Sequence, residues 1–236
     1  MCRRHHSRVR RRSWAATIAA AFALLVLPRT ALAASRGVSA DSGGLRGYLA
    51  LDGLVASPSG GLAGDVSGPA LGFDVEAGIG PRSLPLLFGV KLGVLSLGDL
   101  RGGSPLDAPW LEHTEVRHGE LTIRLEPDLP YVRPFVDASV GIAALYFTSP
   151  SGSDEDDLRA DTAFTRGFSG GLDISPWERT RTPGGLGSVV FTLGFRAWQS
   201  GPLHYAATAA DGSASLRGGT LGVLGPFVGL TLFGWS

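Results

Sequence analysis

The feature that most constrains this chain is a strict two-residue alternation whose polar side is made of glycine and charge. It is clearest over Ala70–Ser96. Leu71, Phe73, Val75, Ala77 and Ile79 fall on one side of an extended strand, and Gly72, Asp74, Glu76 and Gly78 on the other, because successive side chains of a strand point to opposite faces. After the turn Pro81–Pro85 the pattern repeats, with Phe88, Val90, Leu92 and Val94 against Gly89, Lys91 and Gly93. Pairing the two apolar faces places Lys91 opposite Asp74 or Glu76, a cross-strand ion pair. A ribbon with glycine and charge on one side and a broad apolar flank on the other is suited to lipid outside and a polar interior.

The first 33 residues are set apart from the fold. Arg3, Arg4, Arg8 and Arg10–Arg12 form a basic head, Ala15–Leu27 an apolar run, and Ala31-Leu32-Ala33 a small-residue cleavage site. This reads as a secretory signal peptide, the apolar run being too short for a spanning helix. Residues 34–236 are then the mature domain. The segment holds seven of the 21 basic residues and no acid, so 14 basic and 21 acidic residues remain, a net −7. That balance argues against a nucleic-acid partner, which requires a basic patch. The sole cysteine, Cys2, lies in the leader, so neither disulfides nor thiolate metal sites are expected in the mature chain.

Alternation broken by Gly, Pro, Ser and Asp clusters predicts eight strands, near 45–56, 70–80, 86–97, 112–126, 132–147, 163–175, 187–198 and 218–235. Each approaches the ~9–11 residues a tilted strand needs to cross a bilayer. Connections alternate in length: Pro81–Pro85 and Pro127–Pro130 are short and Pro176–Gly185 moderate, while Pro58–Gly68, Gly98–Trp110, Thr148–Thr162 and Gln199–Arg217 are longer and polar. Short turns on one rim and long loops on the other match an outer-membrane barrel. The expected fold is all-β, an eight-stranded antiparallel up-and-down transmembrane barrel.

Parity assigns an inward set of Asp52, Asp74, Glu76, Lys91, Glu120, Arg124, Glu126, Asp137, Asp173 and Arg196, expected to form ion pairs that plug a narrow lumen. Trp110, Tyr131, Tyr146, Trp177, Trp198 and Trp235 lie near predicted strand ends and are expected to form an aromatic girdle at the headgroups. Two places fit poorly. In strand four, His113, Glu115 and Arg117 share the lipid parity, which requires a bulge or an end projecting above the membrane. Arg166 does the same in strand six, near the outer rim, where it could reach headgroup or lipopolysaccharide phosphates.

The chain closes on Gly229, Phe233 and Trp235 at alternating positions. With the eight strands, the mature chain resembles the small OmpA/OmpW-like outer-membrane barrels of Gram-negative bacteria, and the last strand resembles their assembly signal. The resemblance implies export to the outer membrane, passage through its assembly machinery, contact with membrane lipid and lipopolysaccharide, and a monomer. It shows no periplasmic peptidoglycan-binding domain, so wall anchoring is not expected. The expected role is non-enzymatic, structural or surface-interacting through the loops. The alternatives are a narrow pore or passage for small apolar solutes, and a lipid A-modifying hydrolase.

Chemistry is sparse. His113 and His118, five apart, fall on opposite faces and cannot share a metal. In one register His118 lies across from Ser139 with Glu120 alongside, a set that could activate a nucleophile. The acidic run Asp154–Asp157 lacks the ligand spacing of a calcium loop. No cofactor is expected, and no stretch is a phosphate cradle.

Overall fold

The computed structural model describes residues 44–99, 113–148, 158–175, 186–208 and 213–235. Eight strands, β1 (Leu45–Ser59), β2 (Ala70–Pro81), β3 (Leu86–Asp99), β4 (His113–Leu125), β5 (Val132–Thr148), β6 (Leu158–Ile174), β7 (Leu186–Thr208) and β8 (Ala214–Trp235), pair in sequence order into a closed antiparallel barrel. β8 closes on β1, so no strand edge is left open. Closure is what a sheet in hydrocarbon requires, since an unpaired backbone group there has no water to bond.

The pairing also fixes the tilt. Moving sideways from Tyr48 through Gly78, Gly89, Thr122, Ser139, Gly167, Trp198 and Val223 returns to β1 at Pro58, ten residues further along. That stagger inclines every strand, and with eight strands it leaves an interior that side chains can fill.

The faces follow the alternation. Leu49, Leu51, Phe73, Phe88, Val90, Leu92, Leu121, Ile142, Phe191 and Phe195 are all exposed on the outer wall, while Asp52, Asp74, Glu76, Lys91, Glu120 and Arg124 are buried inside. An ordinary water-soluble domain has the opposite arrangement. This is a transmembrane β-barrel.

The structure departs from the sequence reading at the upper ends of three strands. β6 begins at Leu158, β7 runs to Thr208, and β8 begins at Ala214, so most of the expected Gln199–Arg217 loop is a paired hairpin. A bulge between Gln199 and Pro202 shifts the β7–β8 register, and a separate shift between Leu145 and Tyr146 marks the upper end of the β5–β6 pair. Beyond the β7 bulge the parity flips, so Leu203 and Tyr205 point inward although Phe195 and Leu193 point outward. An unbroken alternation rule stops there. β4 needs no such break against β5: its parity holds, and Glu115 and Arg117 sit on the outer wall at the upper end.

The upper interior is apolar, which parity alone did not predict. Leu54, Leu95, Leu97, Val116, Leu145, Phe147, Leu203, Tyr205 and Leu221 form a buried cluster, joined by Leu62 and Val66 from the β1–β2 connection. Leu62 lies on a short 3-10 turn, Leu62–Gly64, and is fully buried.

A charge on the lipid wall should be costly at mid-height and tolerated near the rim. Leu92→Arg, midway along β3, should destabilise the folded barrel by ~2–4 kcal/mol in denaturant titrations from lipid vesicles. Leu216→Arg, near the start of β8, should cost no more than about 1 kcal/mol in the same assay.

Candidate functional site

The inward charges sort into three tiers. Nearest the short turns, Arg124 donates from Nε to Glu126 Oε2 at 2.9 Å and from Nη2 to Asp173 Oδ2 at 2.7 Å. Arg133 Nη1 lies 2.5 Å from Glu126 Oε1, and Arg46 donates from Nη2 to the Glu126 carbonyl at 2.7 Å. The guanidinium faces are covered by aromatic rings, Arg124 over Phe135 at 3.7 Å and Arg133 over Phe233 at 3.9 Å. Such stacking suits Arg, whose planar group bonds at its edge and packs on its face.

In the middle tier Lys91 bridges Glu76 (3.1 Å) and Asp137 (3.8 Å). Its pairing with Glu76 is the cross-strand contact expected from the hairpin, the two residues being direct partners in the β2–β3 register. The outer tier is built on Arg196, which donates to Asp74 and lies 3.5 Å from Asp52. His118 Nε2 stands 3.0 Å from the other Asp74 oxygen. Gly93 makes this tier possible: a Cβ there would lie 1.8 Å from Asp74 Oδ1 and 2.5 Å from His118 Nε2.

Among the described residues, seven buried carboxylates face five buried Arg and Lys side chains and His118. Where cations run short, neutral donors take their place. Glu76 accepts from Tyr48 (2.5 Å) and Thr122 (2.9 Å), Asp137 from Ser169 (2.5 Å), and Asp173 from Thr192 (2.7 Å). Glu120 accepts from Thr165 at 3.1 Å and from the Trp198 indole. A buried charge left without such partners would cost several kcal/mol, so the hydroxyl and indole donors are as much part of the network as the cations.

All ten residues assigned inward by parity are buried in this interior. Arg46, Arg133 and His118 belong to the same network and were absent from that set. The signal was available: Arg46 shares the parity of Asp52, Arg133 that of Asp137, and His118 that of Glu120. The inward Phe135, Phe227 and Phe233 were harder to find, because an apolar side chain in this pattern reads as lipid-facing.

The girdle expectation needs one correction. Trp198 is not on the wall: it is 4% exposed, faces inward at the parity of Arg196, and donates its N–H to Glu120. A buried carboxylate outweighs the headgroup preference of an indole, and strand parity leaves the ring no other direction. Tyr131 and Tyr146 lie on the outer surface at the two ends of β5. Tyr146 sits beneath the Arg117 guanidinium at 4.4 Å, and Arg117 also bonds Glu115 at 3.0 Å. Trp110, Trp177 and the Trp235 side chain lie outside the described residues, as does the acidic run Asp154–Asp157.

The possible nucleophile set on β4 and β5 does not assemble. Ser139 is opposite Thr122, whereas His118 is opposite Ala143, four residues away along β5. Glu120 accepts from Trp198 and Thr165, and its approach to His118 Nδ1 is no closer than 3.9 Å. His113 and His118 are on opposite faces, and no group of His, Cys, Asp and Glu among the described residues is arranged to hold a metal ion. Arg166 is exposed on the lipid wall and donates to Gln199 at 2.9 Å.

No protein-family model matches the chain, and no curated protein sequence matches it. Solved structures do. Neisserial surface protein A is similar over 79% of this chain and 96% of its own, with 15% identity and a TM-score of 0.51. OprG, an outer membrane protein from Pseudomonas aeruginosa, aligns over 81% and 96% with 12% identity and a TM-score of 0.38. Ail, the attachment invasion locus protein of Yersinia pestis, solved with the heparin analogue sucrose octasulfate, aligns over 81% and 99% with 11% identity and a TM-score of 0.38. At these identities the likeness is one of fold alone.

Lys91 joins two carboxylates in the middle tier, so Lys91→Met should cost about 3–5 kcal/mol in equilibrium unfolding, the usual penalty for orphaning buried charge. Adding Glu76→Gln and Asp137→Asn to that variant should recover part of the loss, because the uncompensated charges leave with the lysine.

Proposed function

We propose that this barrel resides in the outer membrane of a Gram-negative bacterium as a monomer with a closed lumen, and serves membrane structure or surface interaction through its loops. The observation that carries the reading is the filled interior. Three tiers of paired charge occupy the lower and middle lumen, and the apolar cluster around Leu62, Phe147 and Tyr205 stops the outer mouth. A solute path would need mobile charge and water along its length, but here the carboxylates are held by fixed donors from neighbouring strands. An apolar stopper tied to the β1–β2 connection adds a second barrier, since dry hydrocarbon groups exclude ions.

The same inside-out wall supports residence in the outer membrane, and the reading includes export through the N-terminal leader and insertion by the assembly machinery. Lipid chains meet the Phe, Leu and Val belt, and lipopolysaccharide meets the upper rim, where Arg117, paired with Glu115 over the Tyr146 ring, lies toward the upper end of β4. Surface interaction is assigned to the long-loop rim because the lumen has no open route.

Planar bilayers test the closed lumen. The refolded protein should give no unitary current steps in 1 M salt, and steps of reproducible size would overturn this reading. In fractionated cells the protein should sediment with outer membrane and migrate faster on gels unheated than boiled; recovery in the soluble periplasmic fraction would overturn the assigned residence.

A further inference from the structure

The upper end of the outer wall carries a polar constellation that the lumen does not use. Ser96 on β3 and His113 on β4 both face outward, and Ser96 Oγ lies 2.7 Å from His113 Nε2. On the far side of the ring, His113 Nδ1 is 3.5 Å from Asp99 Oδ1. Asp99 follows Ser96 by three residues, so on a regular strand it would point into the barrel. A bulge between Ser96 and Gly98 prevents this and makes Asp99 the direct partner of His113. Gly98 sustains the bulge at φ +77°, a conformation that favours glycine, and a Cβ there would lie 2.3 Å from the Ser67 carbonyl. Ser67 locks the turn: its N–H donates to the Asp99 carbonyl and its Oγ accepts from the Asp99 N–H, each at 3.0 Å.

We propose that Ser96, His113 and Asp99 form a hydrolytic triad that cleaves fatty-acyl esters of outer-leaflet lipids. The connectivity carries the assignment. With Nδ1–H directed at the carboxylate, Nε2 presents its lone pair to the serine hydroxyl, the arrangement that makes serine a nucleophile. Bulges characteristically re-aim side chains beside active sites, and this one places the third member.

The surroundings select the substrate. Ser96 is directly opposite Glu115, and Arg117, next along the same face of β4, is opposite Val94. Arg117 and Glu115 form an ion pair at 3.0 Å, a polar edge beside the serine that an ester headgroup would meet. Four residues below Ser96, about 13 Å at strand rise, Leu92 pairs with Gly119. There the wall dents into a shallow apolar groove of about 370 Å³, lined by Val90, Gly119, Leu121, Val140, Ile142 and Phe164. An ester at Ser96 would lay its acyl chain down the wall toward this groove. The triad is accessible from outside the barrel, the His113 side chain being 36% and that of Asp99 73% exposed.

In the first step Ser96 Oγ bonds to the ester carbonyl carbon while His113 Nε2 takes the hydroxyl proton. The ester C–O bond then breaks, and His113 returns that proton to the departing alcohol. Water next attacks the acyl-serine, giving a proton to His113 and its hydroxyl to the acyl carbon. The fatty acid leaves, and the proton returns to Ser96. One ester and one water become one alcohol and one acid.

The test uses the refolded mature chain, with heat-dependent gel migration showing that every variant is folded. A fluorophosphonate probe should label Ser96, located by peptide mass spectrometry, and Ser96→Ala should abolish the adduct. Free fatty acid should be released from phosphatidylglycerol vesicles or from lipid A micelles, and the lipid that yields it names the source. Ser96→Ala and His113→Gln should each lower release by about 10²–10⁴-fold, the range for loss of acid–base and nucleophilic groups. Absence of both adduct and release with folded protein, or release unchanged in Ser96→Ala, overturns the proposal. None of these readouts depends on lumen conductance, so this inference and the closed-lumen reading fail separately.

Discussion

Backbone hydrogen bonding in a solvent that offers none is the constraint from which the rest of this structure follows. A sheet in hydrocarbon must close on itself, because an open edge would expose a row of unsatisfied N–H and C=O groups. Closure with eight strands and a ten-residue stagger then fixes how wide the interior is. Every second residue has to enter that interior whatever its chemistry. The inward sequence is therefore selected for mutual satisfaction in a confined space, and the outward sequence for contact with lipid chains.

The interior solves that packing problem in two ways. Over its lower and middle height it uses charge, with guanidinium groups bonded at their edges and stacked on Phe135 and Phe233. At the outer mouth it uses hydrocarbon, with Phe147 edge-on to Tyr205 at 4.8 Å and Leu62 brought in from a connection between strands. The two halves meet where Trp198 lies beside His118, ring centroids 5.6 Å apart. Trp198 belongs to both, offering its indole N–H to Glu120 and its ring body to the apolar cluster.

Bulges do the remaining work of direction. The one between Gln199 and Pro202 in β7 turns Leu203 and Tyr205 inward and so completes the stopper; the one between Ser96 and Gly98 in β3 turns Asp99 outward toward His113. Each adds a residue to one strand without a counterpart in its neighbour, and each changes which face a side chain meets. Both lie toward the upper rim, where the strands run past the lipid belt and strict alternation is no longer demanded by hydrocarbon on one side.

The sequence alone determined the strand number, the closed up-and-down order and the membership of the charged interior, because period-two alternation survives wherever lipid punishes every exception. Asp74, Glu76 and Lys91 could be assigned to one face without coordinates, and Arg46 and Arg133 by the same parity. Tertiary structure decided what alternation cannot encode. It set Ser139 away from His118, filled the outer mouth with Leu62, and brought Asp99 beside His113. Those outcomes depend on register between strands and on single-residue bulges, and a one-residue shift reverses the face of every side chain beyond it.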